Sequence, residues 1–259
     1  MNILCVGDVC GSIGCEAVRR VLPELKKRYS IDLTIINGEN SADGNGITPQ
    51  SAEMLFNYGA DVITGGNHTL RRSEVYPLLD ENPFLLRPHN LPDAEYGSGY
   101  CLYDMGRTSV AVINLSGKVY LDQLNADNPF AAADLLIGRA KADGAKIIVV
   151  DFHAEATSEK RALGLYLDGH ISVFFGTHTH VQTADEQILP GGTGYITDLG
   201  MTGPKNSVLG VKSEIIISRL KDKNMQKFTL AEGECILNAC VFTVDDATSK
   251  VTEVKRLYV

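Results

Sequence analysis

The sequence predicts an α/β fold with a mainly parallel central sheet and helices on its faces. Short apolar runs typical of strands alternate with segments whose apolar residues recur at helical spacing. Such alternation favours successive β-α-β units, in which neighbouring strands run parallel. Hairpins predicted in the middle of the chain and near its end add antiparallel strands or a second sheet.

The first part of the chain, before residue 100, is predicted to contain three strands and two helices. The strands occupy residues 3–6, 33–36 and 62–63, and the helices cover residues 14–29 and about 48–58. Pro23 marks a kink or a break in the first helix, because proline cannot donate the helical hydrogen bond. Thr48 followed by Pro49 is typical of an N-cap and a first helical position, and starts the second helix.

The second half begins in a hairpin and ends in strands. The predicted strands cover residues 100–115 (as a hairpin turning near Gly106), 146–150, 171–175, 235–244 and 250–259. A helix is predicted over residues 129–143, and another follows Thr157, whose hydroxyl group suits a helix N-terminus. The pattern at residues 213–220 fits either a helix or a strand.

Length and charge limit the classes of protein to consider. A chain of 259 residues with 44% hydrophobic residues buries a large core, and we expect one domain over residues 1–259. The net charge of −8 argues against a broad electrostatic grip on nucleic acid. A small anionic substrate remains compatible with this charge, because metal ions supply local positive charge that the formal count omits.

Cysteine spacing and hydropathy indicate a soluble cytoplasmic protein. The six cysteines form no Cys-x-x-Cys pair, and most lie in apolar runs, as reduced buried thiols do. We find no apolar run long enough to span a bilayer and no signal-peptide core, so no membrane partner is expected. A homo-oligomer is the general default, and the sequence does not select its size.

Metal-capable residues follow five of the strand-like runs, usually beside glycine. The five clusters contain Asp8, Glu39 with Asn40, Asn67 with His68, Asp151 with His153, and His178 with His180. In open α/β sheets ligands collect at the carboxyl ends of the strands. The clusters therefore predict a shared site that no single segment provides.

The donor types predict a two-metal centre. Seven side chains offer carboxylate, amide or imidazole ligands, namely Asp8, Glu39, Asn40, Asn67, His153, His178 and His180. This mixture suits Fe, Mn or Zn, and seven ligands are too many for one tetrahedral ion. Two ions about 3.5–4 Å apart would use them all, with Glu39 as the bridging carboxylate.

Each residue taken alone has an ordinary structural interpretation. An Asp or Asn after a strand is usually a turn or cap residue, and a buried His is usually hydrogen-bonded core. Only the joint occurrence of the five clusters favours the metal site. By the same reasoning, Cys10, Cys15 and His89 are given structural roles, and His170 is expected to be solvated.

The ordered motifs resemble the YmdB-type branch of the calcineurin-like metallophosphoesterases. The matching segments are Gly7-Asp8-Val9-Cys10-Gly11, Asn37-Gly38-Glu39-Asn40, Gly66-Asn67-His68-Thr69, and residues 151–160, 176–185, 188–192 and 200–204. The resemblance implies a two-sheet sandwich flanked by helices, a dinuclear metal site at the carboxyl ends of the strands, and hydrolysis of phosphodiesters. It further implies 2′,3′-cyclic nucleotides as substrates.

The resemblance also assigns roles to the candidate residues. One ion would be held by Asp8, Glu39, Asn40 and His180, and the other by Glu39, Asn67, His153 and His178. We expect two divalent or trivalent ions, with Fe or Mn first and Zn or Mg as alternatives. A hydroxide bridging the two ions would attack phosphorus, and His68, outside the coordination shell, would protonate the leaving ribose oxygen.

The sequence departs from its relatives at four positions near these motifs. Cys10 stands where the wider superfamily has histidine, Leu70 and Arg71 stand where relatives carry Trp and Asp, and His89 replaces a small residue. Substrate preference could therefore differ from that of the family.

Two alternatives remain open at this point. The first is a phosphomonoesterase or an RNA nuclease with the same chemistry, for which a strip of Arg71, Arg72 and Arg87 would bind phosphates. The second is a regulatory protein that senses a cyclic nucleotide at its metal site without hydrolysing it.

Overall fold

The computed structural model describes residues 1–43, 45–92 and 95–259, and it contains two β-sheets packed face to face. The strands are β1 Asn2–Val6, β2 Asp8–Val9, β3 Leu33–Asn37, β4 Val62–Thr64, β5 Tyr100–Asp104, β6 Ser109–Ser116, β7 Ile147–His153, β8 Val173–Thr177, β9 Gln187–Ile188, β10 Gly194–Ile196, β11 Met201–Pro204, β12 Cys235–Val244 and β13 Val251–Tyr258. The helices are α1 Gly11–Arg28, α2 Pro49–Asn57, α3 Tyr76–Glu81, α4 Pro129–Ala142, α5 Thr157–Tyr166 and α6 Ser213–Asp222.

The first sheet combines strands from both ends of the chain. Its order is β2-β11-β12-β1-β3-β4, and β13 pairs with β12. β1, β3 and β4 run parallel, whereas β12 is antiparallel to β1 and to β13. The predicted final hairpin is therefore confirmed.

The second sheet is built from the middle of the chain. Its order is β5-β6-β7-β8-β10-β9, in which β6, β7, β8 and β10 are parallel. β5 and β6 form the predicted antiparallel hairpin. The central parallel sheet expected from the alternation is thus divided between two mixed sheets, as the resemblance to the metallophosphoesterases implied.

Three apolar clusters define the layers of the molecule. Ile3 and Ile35 from the first sheet meet Val149 and Phe175 from the second sheet in the middle layer. On the outer faces, α1 and α2 cover the first sheet, and α4 and α5 cover the second. Successive side chains of a strand point to opposite faces, so each sheet buries both of its faces.

The starts of two helices show where local sequence rules succeed and fail. Thr48 caps α2 as predicted, because its hydroxyl accepts a hydrogen bond from Ser51 N while the Ser51 hydroxyl accepts from Thr48 N. The predicted hydroxyl cap of α5 is wrong, since its N-cap is Ala156. The first-turn Glu159 instead accepts hydrogen bonds from a neighbouring loop.

The structure also answers the predictions about two helices, the cysteines and membrane-spanning segments. α1 continues through Pro23 without a break, and residues 213–222 are helical. All six cysteines are free thiols. Among the described residues, no helix combines the length and the apolar character that crossing a bilayer requires.

Candidate metal centre

The carboxyl ends of β1, β3, β4, β7 and β8 meet at one end of the two-sheet sandwich, where Asp8 lies in the short strand β2 and His153 is the last residue of β7. β1, β3 and β4 contribute from the first sheet, and β7 and β8 from the second. The structure brings together all eight residues singled out in the sequence, namely Asp8, Glu39, Asn40, Asn67, His68, His153, His178 and His180, through the contacts described below.

Asp8, Glu39 and His153 form the buried centre of the cluster. Their potential ligand atoms lie within 4.8 Å of one another. His153 Nε2 is 3.5 Å from Glu39 Oε2, and His153 Nδ1 is 4.0 Å from Asp8 Oδ1. Asp8 Oδ1 is buried and has no hydrogen-bond partner among the residues that the structure describes. A buried oxygen that accepts no hydrogen bond is costly unless another group compensates it, and a cation would do so.

The turn after β8 carries two further imidazoles. His178 N donates to Asp8 Oδ2 at 3.2 Å, and His178 Nδ1 lies 3.1 Å from His153 Nε2. His180 Nε2 lies 3.7 Å from Asp8 Oδ1. His178 and His180 adopt positive φ angles of 101° and 62°. Residues other than glycine rarely adopt this backbone conformation. Such strain is typical of functional sites.

A buried ion pair holds this strained turn. Thr179 N, between the two histidines, donates to Asp198 Oδ2 at 3.1 Å, and Lys160 Nζ donates to the same oxygen at 2.6 Å. Lys160 and Asp198 are both fully buried. The pair lies in segments 38 residues apart, and no local pattern marked it in the sequence.

Asn40 and His68 complete the side of the cluster that faces Glu39. Asn40 Nδ2 donates to Glu39 Oε1 at 2.7 Å, and His68 Nδ1 lies 2.8 Å from Asn40 Oδ1. The backbone N–H of His68 donates to Glu39 Oε2 at 2.8 Å. The side chain of His68 is 24% exposed, so it borders both the buried cluster and solvent.

A hydrogen-bond chain behind His153 was missed in the sequence. His153 Nδ1 contacts Thr177 Oγ1 at 2.9 Å, and this hydroxyl donates to Asp151 Oδ1 at 2.7 Å. The hydroxyl therefore accepts from Nδ1–H, which leaves the Nε2 lone pair free to bind a cation beside two acceptor oxygens, Asn67 Oδ1 at 2.9 Å and Glu39 Oε2 at 3.5 Å. A carboxylate within the apolar run of β7 was the available signal, since a buried acid needs partners.

Glycine at position 66 leaves room in the cluster. A Cβ atom built there would collide with His153 Nε2 and with Glu39 Oε2. Any larger residue would therefore displace the two ligand atoms.

Burial controls the protonation of the cluster. Burial, followed by the negative charge of Glu39, raises the pKa of Asp8 well above its usual range. Burial also opposes ionisation of Glu39, but His153 and His68 outweigh it and hold the pKa of Glu39 low. Burial lowers the pKa of His153, and lowers that of His180 to about 4. Neutral imidazoles beside acidic side chains are ready to bind a cation.

The positions that depart from relatives also have defined surroundings. Cys10 Sγ lies 3.6 Å from His180 Nδ1, so this thiol borders a candidate ligand. Arg71 Nη1 donates to Asn45 Oδ1, and His89 is half-buried with its N–H bonded to Asn114 O. Outside the cluster, His170 is exposed as expected.

A two-sheet α/β protein with carboxylate, amide and imidazole groups at the shared end of its strands is a candidate metal-dependent hydrolase. The chain belongs to the family described as YmdB-like protein, whose model matches residues 4–257. The family resemblance drawn from the motifs is confirmed.

Relatives match nearly the whole chain. The 2′,3′-cyclic-nucleotide 2′-phosphodiesterase of Bacillus subtilis (strain 168) is 48% identical over 259 residues, which cover 100% of this chain and 97% of the relative. The crystal structure of a novel phosphatase from Mycoplasma pneumoniae has a TM-score of 0.94 at 33% identity, over 100% and 93% of the two chains. A hypothetical protein from Thermus thermophilus superposes with a TM-score of 0.92 at 37% identity, over 100% and 99%.

Proposed function

We propose that this protein is a metal-dependent phosphodiesterase that hydrolyses small cyclic nucleotides, with 2′,3′-cyclic nucleotides as its substrates. The observation that carries the proposal is the buried Asp8–Glu39–His153 cluster with its uncompensated Asp8 oxygen. The name of the Bacillus subtilis relative, which is 48% identical over the whole chain, supports this choice of substrate.

The donors fit two metal ions. Asp8, Glu39, Asn40 and His180 would hold one ion, and Glu39, Asn67, His153 and His178 would hold the other. The mixture of oxygen and imidazole donors fits Fe or Mn first, and Zn or Mg as alternatives. When bound, such ions neutralise phosphate charge and lower the pKa of an attacking water. The burial of Asp8 and Glu39 keeps competing water away from these carboxylates.

His68 is the proposed general acid. Its Nδ1 atom is held by Asn40 Oδ1, so Nε2 is left to carry a proton toward the leaving oxygen of the ribose. The backbone bond from His68 N to Glu39 fixes the position of the residue relative to the cluster. The partial exposure of its side chain allows the proton to be replaced from solvent.

Metal analysis combined with a substrate panel tests the proposed function. The purified protein is assayed for bound Fe, Mn, Zn and Mg, and then with 2′,3′-cyclic AMP, 3′,5′-cyclic AMP, 5′-AMP and an RNA oligonucleotide. We expect bound metal and fastest hydrolysis of the 2′,3′-cyclic nucleotide. Faster hydrolysis of 5′-AMP or RNA would support the phosphomonoesterase or nuclease alternative instead. Tight binding of cyclic nucleotide without hydrolysis under any of these metals would identify a sensor.

A further inference from the structure

The loop after β6 lies beside the candidate metal centre. β6 runs parallel to β7, with Ser116 opposite His153, so both strands end at the same place. Gly117 N then donates to the backbone oxygen of His153 at 2.9 Å. Residues 117–121, called the 117–121 loop below, therefore start directly next to a candidate ligand.

The 117–121 loop is held firmly in place. Glu159 in the first turn of α5 accepts hydrogen bonds from Lys118 N at 2.9 Å and Val119 N at 3.2 Å. Leu121 N donates to Lys118 O at 2.9 Å, and the side chain of Leu121 is only 4% exposed. These anchors fix the backbone of the loop before any ligand arrives.

The same anchors direct an aromatic side chain into solvent. Tyr120 has a φ angle of 64°, which is strained for a bulky residue, and 77% of it is exposed. Tyr120 is the third residue after Gly117, so its Cα lies within about 11 Å of the Gly117 Cα. Other apolar side chains are comparably exposed, but Tyr120 combines exposure with a strained backbone beside a candidate site, and such strain is typical of ligand contacts.

We propose that Tyr120 is the stacking platform for the nucleobase of the substrate. The proposal rests on the function proposed above and extends it from the phosphate to the base. With the phosphate at the metal centre, the ribose and base would extend beyond it, and the 117–121 loop starts at the backbone of the candidate ligand His153. An aromatic ring stacks on any base, so Tyr120 contributes affinity for nucleotides without selecting one base by hydrogen bonds.

The test compares two five-membered cyclic phosphates, one with a base and one without. Wild type and Tyr120→Ala, both loaded with Mn²⁺, are assayed on 2′,3′-cyclic AMP and on glycerol 1,2-cyclic phosphate. We expect Tyr120→Ala to raise KM for cyclic AMP about tenfold, equivalent to about 1.4 kcal/mol, with kcat nearly unchanged. Kinetics on the glycerol compound should not change.

Two variants serve as controls. Tyr120→Phe keeps the ring and should restore the wild-type KM. Tyr166→Ala removes another exposed tyrosine, at the far end of α5 from the metal centre, and should leave KM unchanged. An unchanged KM in Tyr120→Ala, or an equal rise for both substrates, overturns the proposal.

The two proposals fail in different ways. If wild type hydrolyses neither compound, the phosphodiesterase function is wrong. Calorimetric titration with 2′,3′-cyclic AMP then tests Tyr120 directly. A Kd that rises about tenfold in Tyr120→Ala supports the stacking platform, and an equal Kd rejects it.

Discussion

Thr177 connects a buried carboxylate to a candidate metal ligand. Thr177→Val removes the acceptor of His153 Nδ1–H and one donor to Asp151. We expect metal affinity to fall by about 10–100-fold, because the imidazole loses its fixed tautomer. Stability should fall by about 1–3 kcal/mol, because a buried carboxylate loses a partner. Metal titration and urea unfolding measure the two effects.

A second buried threonine provides the control for this substitution. The hydroxyl of Thr34 in β3 is buried and has no hydrogen-bond partner in the described part of the chain. Thr34→Val should therefore leave metal affinity unchanged, and stability equal or higher. Equal metal affinities in the two valine variants would show that the chain from Asp151 to His153 does not orient a ligand.

His68 should separate turnover from metal binding. His68→Ala is expected to retain both metals and to lose about 10²–10⁴ in kcat, because it removes the proposed proton donor. Asp8→Ala should lose metal and activity together. Elemental analysis and initial rates distinguish the two, with the exposed His170→Ala as the control. Loss of metal from His68→Ala, with normal activity per remaining metal, would make His68 a ligand.

At the scale of single residues, the sequence predicted the directly clustered side chains but not their supports. The eight candidates were visible because each follows a strand-like run, and parallel strands bring such positions to one end. Thr177 was adjacent to that pattern, yet hydroxyl residues are common and carried no signal. Lys160 and Asp198 were missed because their pairing depends on tertiary structure, whereas sequence patterns report local spacing.

At the scale of elements, the turn that enters from β4 must keep glycine at position 66. Gly66→Ala should abolish metal binding, because the new Cβ atom would collide with His153 and Glu39. The control is Gly138 in α4, where a Cβ meets no described atom within 4 Å. Gly138→Ala should stabilise the protein by about 0.5–1 kcal/mol through helix propensity. Metal binding by Gly66→Ala equal to wild type would show that the cluster does not hold ions at these atoms.

The Lys160–Asp198 pair should matter more than an exposed pair of the same type. Lys160→Met leaves Asp198 buried without its cation and should cost about 3–5 kcal/mol. Lys205→Met breaks the exposed Lys205–Glu234 pair and should cost less than about 1 kcal/mol. Chemical unfolding of both variants measures the difference. Equal costs would mean that Asp198 is stabilised by its backbone donors alone.

The types of the long elements were largely predictable from the sequence, but their partners were not. Periodicity reports which faces are buried, so the main strands and helices were found within a few residues. It does not report which strand lies alongside, so the hairpins left open antiparallel strands or a second sheet, and the family resemblance favoured two sheets. The cap of α5 was misassigned because the helix begins at Thr157 itself, so the N-cap position falls on Ala156, which has no side-chain hydroxyl.

At the scale of the whole molecule, metal should stabilise the fold. Burial and the nearby charge of Glu39 raise the pKa of Asp8, so keeping Asp8 ionised at neutral pH opposes folding of the metal-free protein. Mn²⁺ at about 100 times its Kd should contribute about 2.7 kcal/mol, which raises Tm by roughly 5–10 °C, and a chelator should reverse this. Asp8→Asn should raise the Tm of the metal-free protein and reduce the response to Mn²⁺. A Tm in wild type that does not respond to any tested metal would contradict the proposed centre.

β12 lies in the middle of the first sheet but is synthesised near the end of the chain, so the first sheet can be completed only late in translation. β1 pairs with β12 from Asn2 opposite Thr243 to Val6 opposite Ala239. During translation, the β12 side of β1 therefore stays unpaired until residue 243 has been synthesised. Asp8 lies two residues after the end of β1. Nascent chains interrupted earlier would carry an open strand edge and no completed cation pocket. Truncated products should consequently be inert rather than partly active.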